Sequence, residues 1–210
     1  MKMTSEVREP YLLNQGNLSH ASSQRNGQFP ETSASYGPEI QGKFFFSQQE
    51  KFYVRGVTYG AFEPNEAGEE YHDLEKIARD FELMARHGIN TVRIPHTTPP
   101  RVLLDIAYEK GLRVMTGLSA EQYVGYLIDK KKAPNLEQII RSRVREVKDH
   151  PALFSISLGN EIPASIARWL GRKPIEKYLK RIYDWVKDEY PEALVTYVNY
   201  PTTEYLQLPF

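Results

Sequence analysis

Asp149-His150-Pro151-Ala152-Leu153-Phe154-Ser155-Ile156-Ser157-Leu158-Gly159-Asn160-Glu161 holds a helix stop, a buried strand and a polar strand end in direct succession. Proline removes a backbone donor and biases the residue before it away from the helical region, so a preceding helix ends at His150-Pro151. The largely apolar run Ala152 to Leu158 is too short for a buried helix and reads as a buried strand of a parallel sheet. Asn160-Glu161 then falls at the carboxyl end of that strand, where parallel α/β folds gather their functional groups.

Working outward, short apolar runs alternate with helical periods, the pattern of successive βαβ units. Asp73 caps a helix in which Leu74, Ile77, Ala78, Phe81, Met84 and Ala85 recur at three- to four-residue spacing, ending at His87-Gly88. Thr91-Val92-Arg93-Ile94 follows as a strand. Pro99-Pro100 opens a second helix through Val102, Leu103, Ile106 and Ala107 to Gly111, ahead of the strand Leu112 to Met115. A loop from Glu121 to Pro134 leads to a third helix over about Leu136 to Lys148. Beyond Glu161, a short helix over Ala164 to Leu170 precedes a longer one from about Pro174 to Glu189, striped by Ile175, Tyr178, Leu179, Ile182, Trp185 and Val186. Ala193 to Val198 is the last strand. On the amino-terminal side, Lys43 to Phe46 and Phe52 to Tyr59, separated by Ser47 to Glu50, form a β-hairpin. Parallel strands are thus expected at about 52–58, 91–94, 112–116, 152–158 and 194–198.

Residues 1–38, rich in Ser, Asn, Gln, Gly and Pro, hold too few apolar side chains to offset ordering entropy and are expected to be a disordered extension; 39–210 form the folded domain. Charge is balanced at 27 basic and 27 acidic residues, which gives no footprint for nucleic acid or a membrane surface, and Lys130-Lys131-Lys132 reads as a solvated loop. There are no cysteines, no secretory leader and no stretch of about 20 apolar residues, so a cytoplasmic protein is expected. The five histidines show no ligand pair at helical spacing and no Gly-rich phosphate loop follows a strand, so neither metal nor cofactor is expected.

With His150-Pro151 and Ser157-Leu158-Gly159-Asn160-Glu161 in place, the chain resembles the catalytic barrel of glycoside hydrolase family 2 and, more broadly, its clan. There an Asn-His-Pro helix end precedes a fourth strand reading Trp-Ser-Leu-Gly-Asn-Glu; Asp149 and Ile156 stand where that pattern has Asn and Trp. Gly88-Ile89-Asn90-Thr91-Val92-Arg93-Ile94-Pro95-His96 is similar to the family's second strand, and Lys51 to Val57 to its first strand after a bottom-plugging hairpin. Thr58-Tyr59-Gly60-Ala61-Phe62 replaces the histidines that usually follow.

The resemblance implies a (β/α)₈ TIM barrel, here partial, and a retaining glycosidase in which Glu161 is the general acid/base. Such an enzyme needs a second carboxylate about 5–5.5 Å away as nucleophile; by resemblance it lies at the end of a seventh strand. A complete barrel takes about 250 residues, whereas 168 run from Lys43 to Phe210 (210 minus 42), so the chain is expected to be truncated, to lack the nucleophile and to require a C-terminal barrel half as partner. Asn160 would donate to a sugar hydroxyl, Arg93 would orient the nucleophile, and His96, Tyr59 and Asn199 would line a carbohydrate site, with Glu121 and Tyr200 as further strand-end candidates. Simpler alternatives stand beside these: Glu161 as a carboxylate favouring a helix start ahead of Pro163, Arg93 as a structural ion-pair partner, and His87 and His150 as cations at helix ends. Three functions remain open: a glycosidase, a non-catalytic carbohydrate-binding remnant, or an interaction module completing its sheet with another chain.

Overall fold

A computed structural model describes residues 37–47, 49–128, 131, 133–200 and 206–210. All but the last two positions of the expected amino-terminal extension lie outside the described residues. The elements are β1 (Glu39–Gln41), β2 (Phe44–Ser47), β3 (Glu50–Phe52), β4 (Gly56–Thr58), α1 (Leu74–Arg86), β5 (Thr91–Ile94), α2 (Arg101–Glu109), β6 (Arg113–Gly117), a 3₁₀ segment (Ala120–Leu127), α3 (Leu136–Val147), β7 (Leu153–Asn160), α4 (Ala164–Leu170), α5 (Arg172–Glu189) and β8 (Val195–Val198). β1 to β3 form an antiparallel sheet; β4 to β8 form a parallel sheet of five strands in chain order. Parallel neighbours in chain order, joined by helices, make an arc of a (β/α)₈ barrel.

The two faces of that arc differ because side chains alternate along a strand. Val92, Ile94, Val114, Ile156 and Leu158 point into the helix layer and are essentially buried. Register places Thr58 beside Arg93, Arg93 beside Met115, Met115 beside Ser155, and Ser157 beside Thr196, so the opposite, concave face carries Thr58, Arg93, Ser155, Ser157 and Thr196 with Met115 among them. The helices close the other side with Ile77 and Phe81 of α1, Leu103 and Leu104 of α2, Ile140 and Val144 of α3, and Ile175, Leu179 and Ile182 of α5. Asp73 and Asn135 cap α1 and α3 by accepting from the amides of Lys76 and Gln138. No helix among the described residues is long and apolar enough to cross a membrane.

The expected first strand over 52–58 is divided: β3 ends at Phe52 and β4 begins at Gly56. Asn90 accounts for the gap. Its Oδ1 accepts from the Arg55 amide at 2.8 Å, its Nδ2 donates to the Tyr53 carbonyl at 2.9 Å, and its own amide donates to the Arg55 carbonyl at 2.9 Å. One side chain thereby satisfies the backbone groups of Tyr53 and Arg55 that a ladder would otherwise use. β1, ahead of the expected hairpin, adds a third strand to it. Phe45 and Phe52 enclose Phe154 of β7 at centroid distances of 5.1 and 5.5 Å, and Arg113 donates to Ser47 Oγ and to the Pro151 carbonyl, so the hairpin plugs the amino-terminal end of the arc.

Two further expectations are revised. The loop from Glu121 begins with the 3₁₀ segment, entered through Ser119 in the left-handed region at φ 54°. His150, expected as a cation at a helix end, is buried and hydrogen-bonded through both ring nitrogens. It is 4% exposed, its Nδ1 accepts from the Ala152 amide at 3.1 Å, and its Nε2 lies 3.0 Å from Asp105 Oδ1, which makes Nε2 the donor. Burial lowers its pKa below the ordinary histidine value, with the Asp105 carboxylate opposing.

Candidate active site

The carboxyl ends of β5, β6, β7 and β8 converge on the segment Asn160-Glu161-Ile162. Glu161 adopts a left-handed backbone at φ 53°, a conformation that costs a non-glycine residue free energy and persists where neighbours over-determine it. Three successive amides supply that constraint. Asn160 N donates to Glu121 Oε2 at 2.8 Å, Glu161 N to the Val198 carbonyl at 2.9 Å, and Ile162 N to Tyr197 Oη at 3.0 Å. Glu121 lies in the 3₁₀ segment that follows β6, and Tyr197 and Val198 lie in β8, so the turn that presents Glu161 is held from both flanks of β7.

Arg93 reaches across from β5. Its Nη2 donates to Asn160 Oδ1 and its Nη1 approaches Thr58 Oγ1 at 3.4 Å. A guanidinium offers donors only, so this contact assigns the Asn160 amide: Oδ1 faces Arg93, and Nδ2 is left to donate elsewhere. Among the described residues its hydrogen-bond partners are an amide and a hydroxyl, not a carboxylate. Its Nε is buried without a hydrogen-bond partner among the described residues.

Glu121, little weighted from sequence, is central to this arrangement. Its side chain is 14% exposed; Oε2 takes the Asn160 amide, while Oε1 lies 3.6 Å from His96 Nδ1. Close backbone approach makes this geometry dependent on two glycines. A Cβ at Gly159 would come within 2.8 Å of Glu121 Oε2, and one at Gly117 within 2.2 Å of the Pro95 carbonyl oxygen. The segment leading into Glu121 is itself anchored, since Arg143 of α3 donates to the Leu118 carbonyl and Tyr178 of α5 to the Ala120 carbonyl, both at 2.7 Å, and Ser119 Oγ donates to the His96 carbonyl. Burial, reinforced by the Glu121 carboxylate, pushes the Tyr178 hydroxyl well above its ordinary value and keeps it a donor. Tyr197 is pushed up to about 12 by burial; the Glu121 and Glu161 carboxylates add to this and the Ile162 amide opposes it. It therefore keeps its own proton while accepting from Ile162.

The sequence candidates separate accordingly. Arg93 meets Asn160 at the end of β7, with Glu161 the next residue along the chain, and His96, 45% exposed at its side chain, stands beside Glu121. Asn199 follows β8 directly; it is exposed, and its Nδ2 lies 3.4 Å from the Leu206 carbonyl. Tyr59 is not brought into this group. Thr58 takes the concave position beside Arg93, so alternation turns Tyr59 into the helix layer, 6% exposed, with its hydroxyl donating to Asp80 at 2.9 Å and its ring 5.1 Å from Phe81. Tyr197 escaped selection because it precedes the strand end; its reach to Ile162 arises from the β7–β8 pairing, which no local pattern displays.

The sequence profile of the TIM-barrel domain of glycosyl hydrolases family 2 matches residues 39–208. No curated protein sequence matches the chain. Among solved structures, the β-D-glucuronidase of Dictyoglomus thermophilum aligns with a TM-score of 0.61 at 19% identity over 81% of this chain and 30% of its own. The β-glucuronidase of Parabacteroides merdae aligns with a TM-score of 0.57 at 18% identity over 76% and 20%, and the family 2 β-galacturonidase of Eisenbergiella tayi with 0.58 at 17% over 78% and 28%. The chain therefore spans less than a third of these proteins' lengths, and their likeness concerns the fold. Its parallel arc, its Asn-Glu strand end and the profile match over most of its length agree, and the chain belongs to the TIM-barrel domain of glycosyl hydrolase family 2.

Proposed function

We propose that this domain is the acid/base-bearing part of a retaining β-glycosidase. Glu161, as carboxylic acid, protonates the leaving glycosidic oxygen and afterwards, as carboxylate, deprotonates the water that attacks the glycosyl-enzyme intermediate. Asn160 Nδ2 donates to the sugar hydroxyl adjacent to the anomeric carbon, a bond that strengthens as positive charge develops there. His96 and Asn199 border the same opening. The nucleophilic carboxylate comes from a strand beyond the five described, supplied in the same chain or by a C-terminal barrel half as partner, and Arg93 orients it.

The observation that carries this reading is the contact of Arg93 with Asn160, which joins the second and fourth strand ends next to Glu161 and leaves a cationic donor, Nε, without an acceptor among the described residues. The structural relatives include β-glucuronidases and a β-galacturonidase, so β-uronides head the substrates to be tried, followed by β-galactosides and β-glucosides.

The test is hydrolysis by the domain joined to strands six to eight, comparing aryl with alkyl β-glycosides. General acid assistance is worth about 10²–10⁴-fold, and leaving groups that depart poorly need it most. Glu161→Gln is expected to lower kcat/KM, which reports formation of the glycosyl-enzyme, by about that factor for alkyl glycosides and far less for nitrophenyl glycosides. Equal kcat/KM of wild type and Glu161→Gln on both overturns the assignment. The 210-residue chain alone is expected to be inactive. A second reading, a carbohydrate-binding domain without catalysis, is favoured by the engagement of Glu121, the other carboxylate of the opening, with backbone; it predicts sugar binding unchanged in Glu161→Gln and no hydrolysis in any joined form.

A further inference from the structure

We propose that Glu121 is a positioning residue for this site: its carboxylate holds the Asn160 peptide as a hydrogen-bond acceptor and thereby sets the directions of the Asn160 amide and the Glu161 carboxyl. The inference rests on the acid/base reading of Glu161 for its functional meaning and on geometry for its substance.

Four observations converge. Glu121 Oε2 receives the Asn160 amide at 2.8 Å, the contact nearest in sequence to Glu161 that comes from the β6 side. The glycine at 159 leaves room for that oxygen, since any Cβ there would crowd it to 2.8 Å. The loop bearing Glu121 is tied at Leu118 and Ala120 by side chains of two different helices, so the carboxylate arrives from a fixed platform. Glu161 itself keeps a left-handed backbone that flanking ties must maintain. Its other oxygen is buried 3.6 Å from His96 Nδ1 with no hydrogen-bond partner among the described residues, so the bond this carboxylate receives is the one from the Asn160 amide. What it contributes is aim, and catalytic groups displaced by as little as about 1 Å lose much of their effect.

The role requires an acceptor oxygen and not a negative charge, which separates it from a chemical role. Amide hydrogen exchange of the full 210-residue chain provides one readout and titration with methyl β-D-glucuronide another. In Glu121→Ala, exchange at Asn160 is expected to accelerate tenfold or more, while the Val114 and Ile156 amides, in the β6–β7 and β7–β8 ladders, keep their rates. Glucuronide affinity falls about tenfold. Glu121→Gln retains an acceptor at the same reach and is expected to restore both to within about twofold. Unchanged exchange at Asn160 in Glu121→Ala overturns the proposal, as does Glu121→Gln behaving like Glu121→Ala. Should the wild type bind no glucuronide, the glycosidase reading is what suffers, and the exchange comparison alone decides whether Glu121 holds residue 160.

Discussion

Gly159 and His150 bracket the strand that carries the site, and each turns a local geometry into a measurable outcome. Gly159→Ala drives a methyl group against Glu121 Oε2 and to 3.3 Å from Ala120 Cβ. Overpacking of this kind costs about 1–3 kcal/mol, to be read as a lower urea midpoint together with a displaced Asn160 amide resonance. His150, neutral and buried, has a folded-state pKa below its unfolded value. Above the unfolded value neither state binds the proton; as pH falls through about 6.5 the unfolded chain takes it up and the native one does not, so stability declines toward acid. Urea midpoints between pH 7.5 and 5.5 should fall for the wild type and fall less for His150→Gln. At this scale the sequence exposed the chemistry-bearing letters better than their partners. Asn160-Glu161 could be placed from the strand before it, and Asp149 at φ 61° shows why a short polar residue serves at that turn. That Arg93 would spend itself on an amide, or that Tyr59 would turn under α1, depends on which face each residue occupies, and a one-residue choice of parity decides it.

Among the elements, β7 is gripped at both ends, by the hairpin below and by β8 above. Phe154→Ala deletes the ring that Phe45 and Phe52 enclose and is expected to cost about 3–5 kcal/mol, with exchange protection lost first in β1 to β3. Tyr197→Phe strips Ile162 N of its acceptor at a fully buried residue; an orphaned buried amide costs about 1–3 kcal/mol, seen as a lower thermal midpoint and as faster exchange at residue 162. The helices were legible because their apolar stripes and caps are local: Asp73 and the Leu74–Arg86 stripe agree with α1. The division of residues 52–58 was not, since Tyr53, Val54 and Arg55 suit a strand and only the distant Asn90 interrupts them. The 3₁₀ segment after Ser119 was equally hidden, because its anchors are Arg143 and Tyr178, far along the chain.

For the molecule as a whole, β4 and β8 each pair on one side only among the described residues. Unpaired strand edges invite association, so the 210-residue chain is expected to melt over a broad, concentration-dependent range, and joining strands six to eight should sharpen and raise the transition; scanning calorimetry with sedimentation velocity would check this, and a sharp, concentration-independent transition of a monomer would contradict it. The five-strand count could be read from the spacing of apolar runs, whereas the sugar could not, because specificity belongs to loops whose shape the runs do not encode. The three tied amides at 160–162 bear on protein engineering. A fourth βα unit grafted into a foreign barrel would bring its Asn-Glu pair but leave behind Glu121, Tyr197 and the Val198 carbonyl. The host would then have to offer three acceptors of its own, or the transplanted glutamate would relax out of its left-handed turn and face wherever the new surroundings sent it.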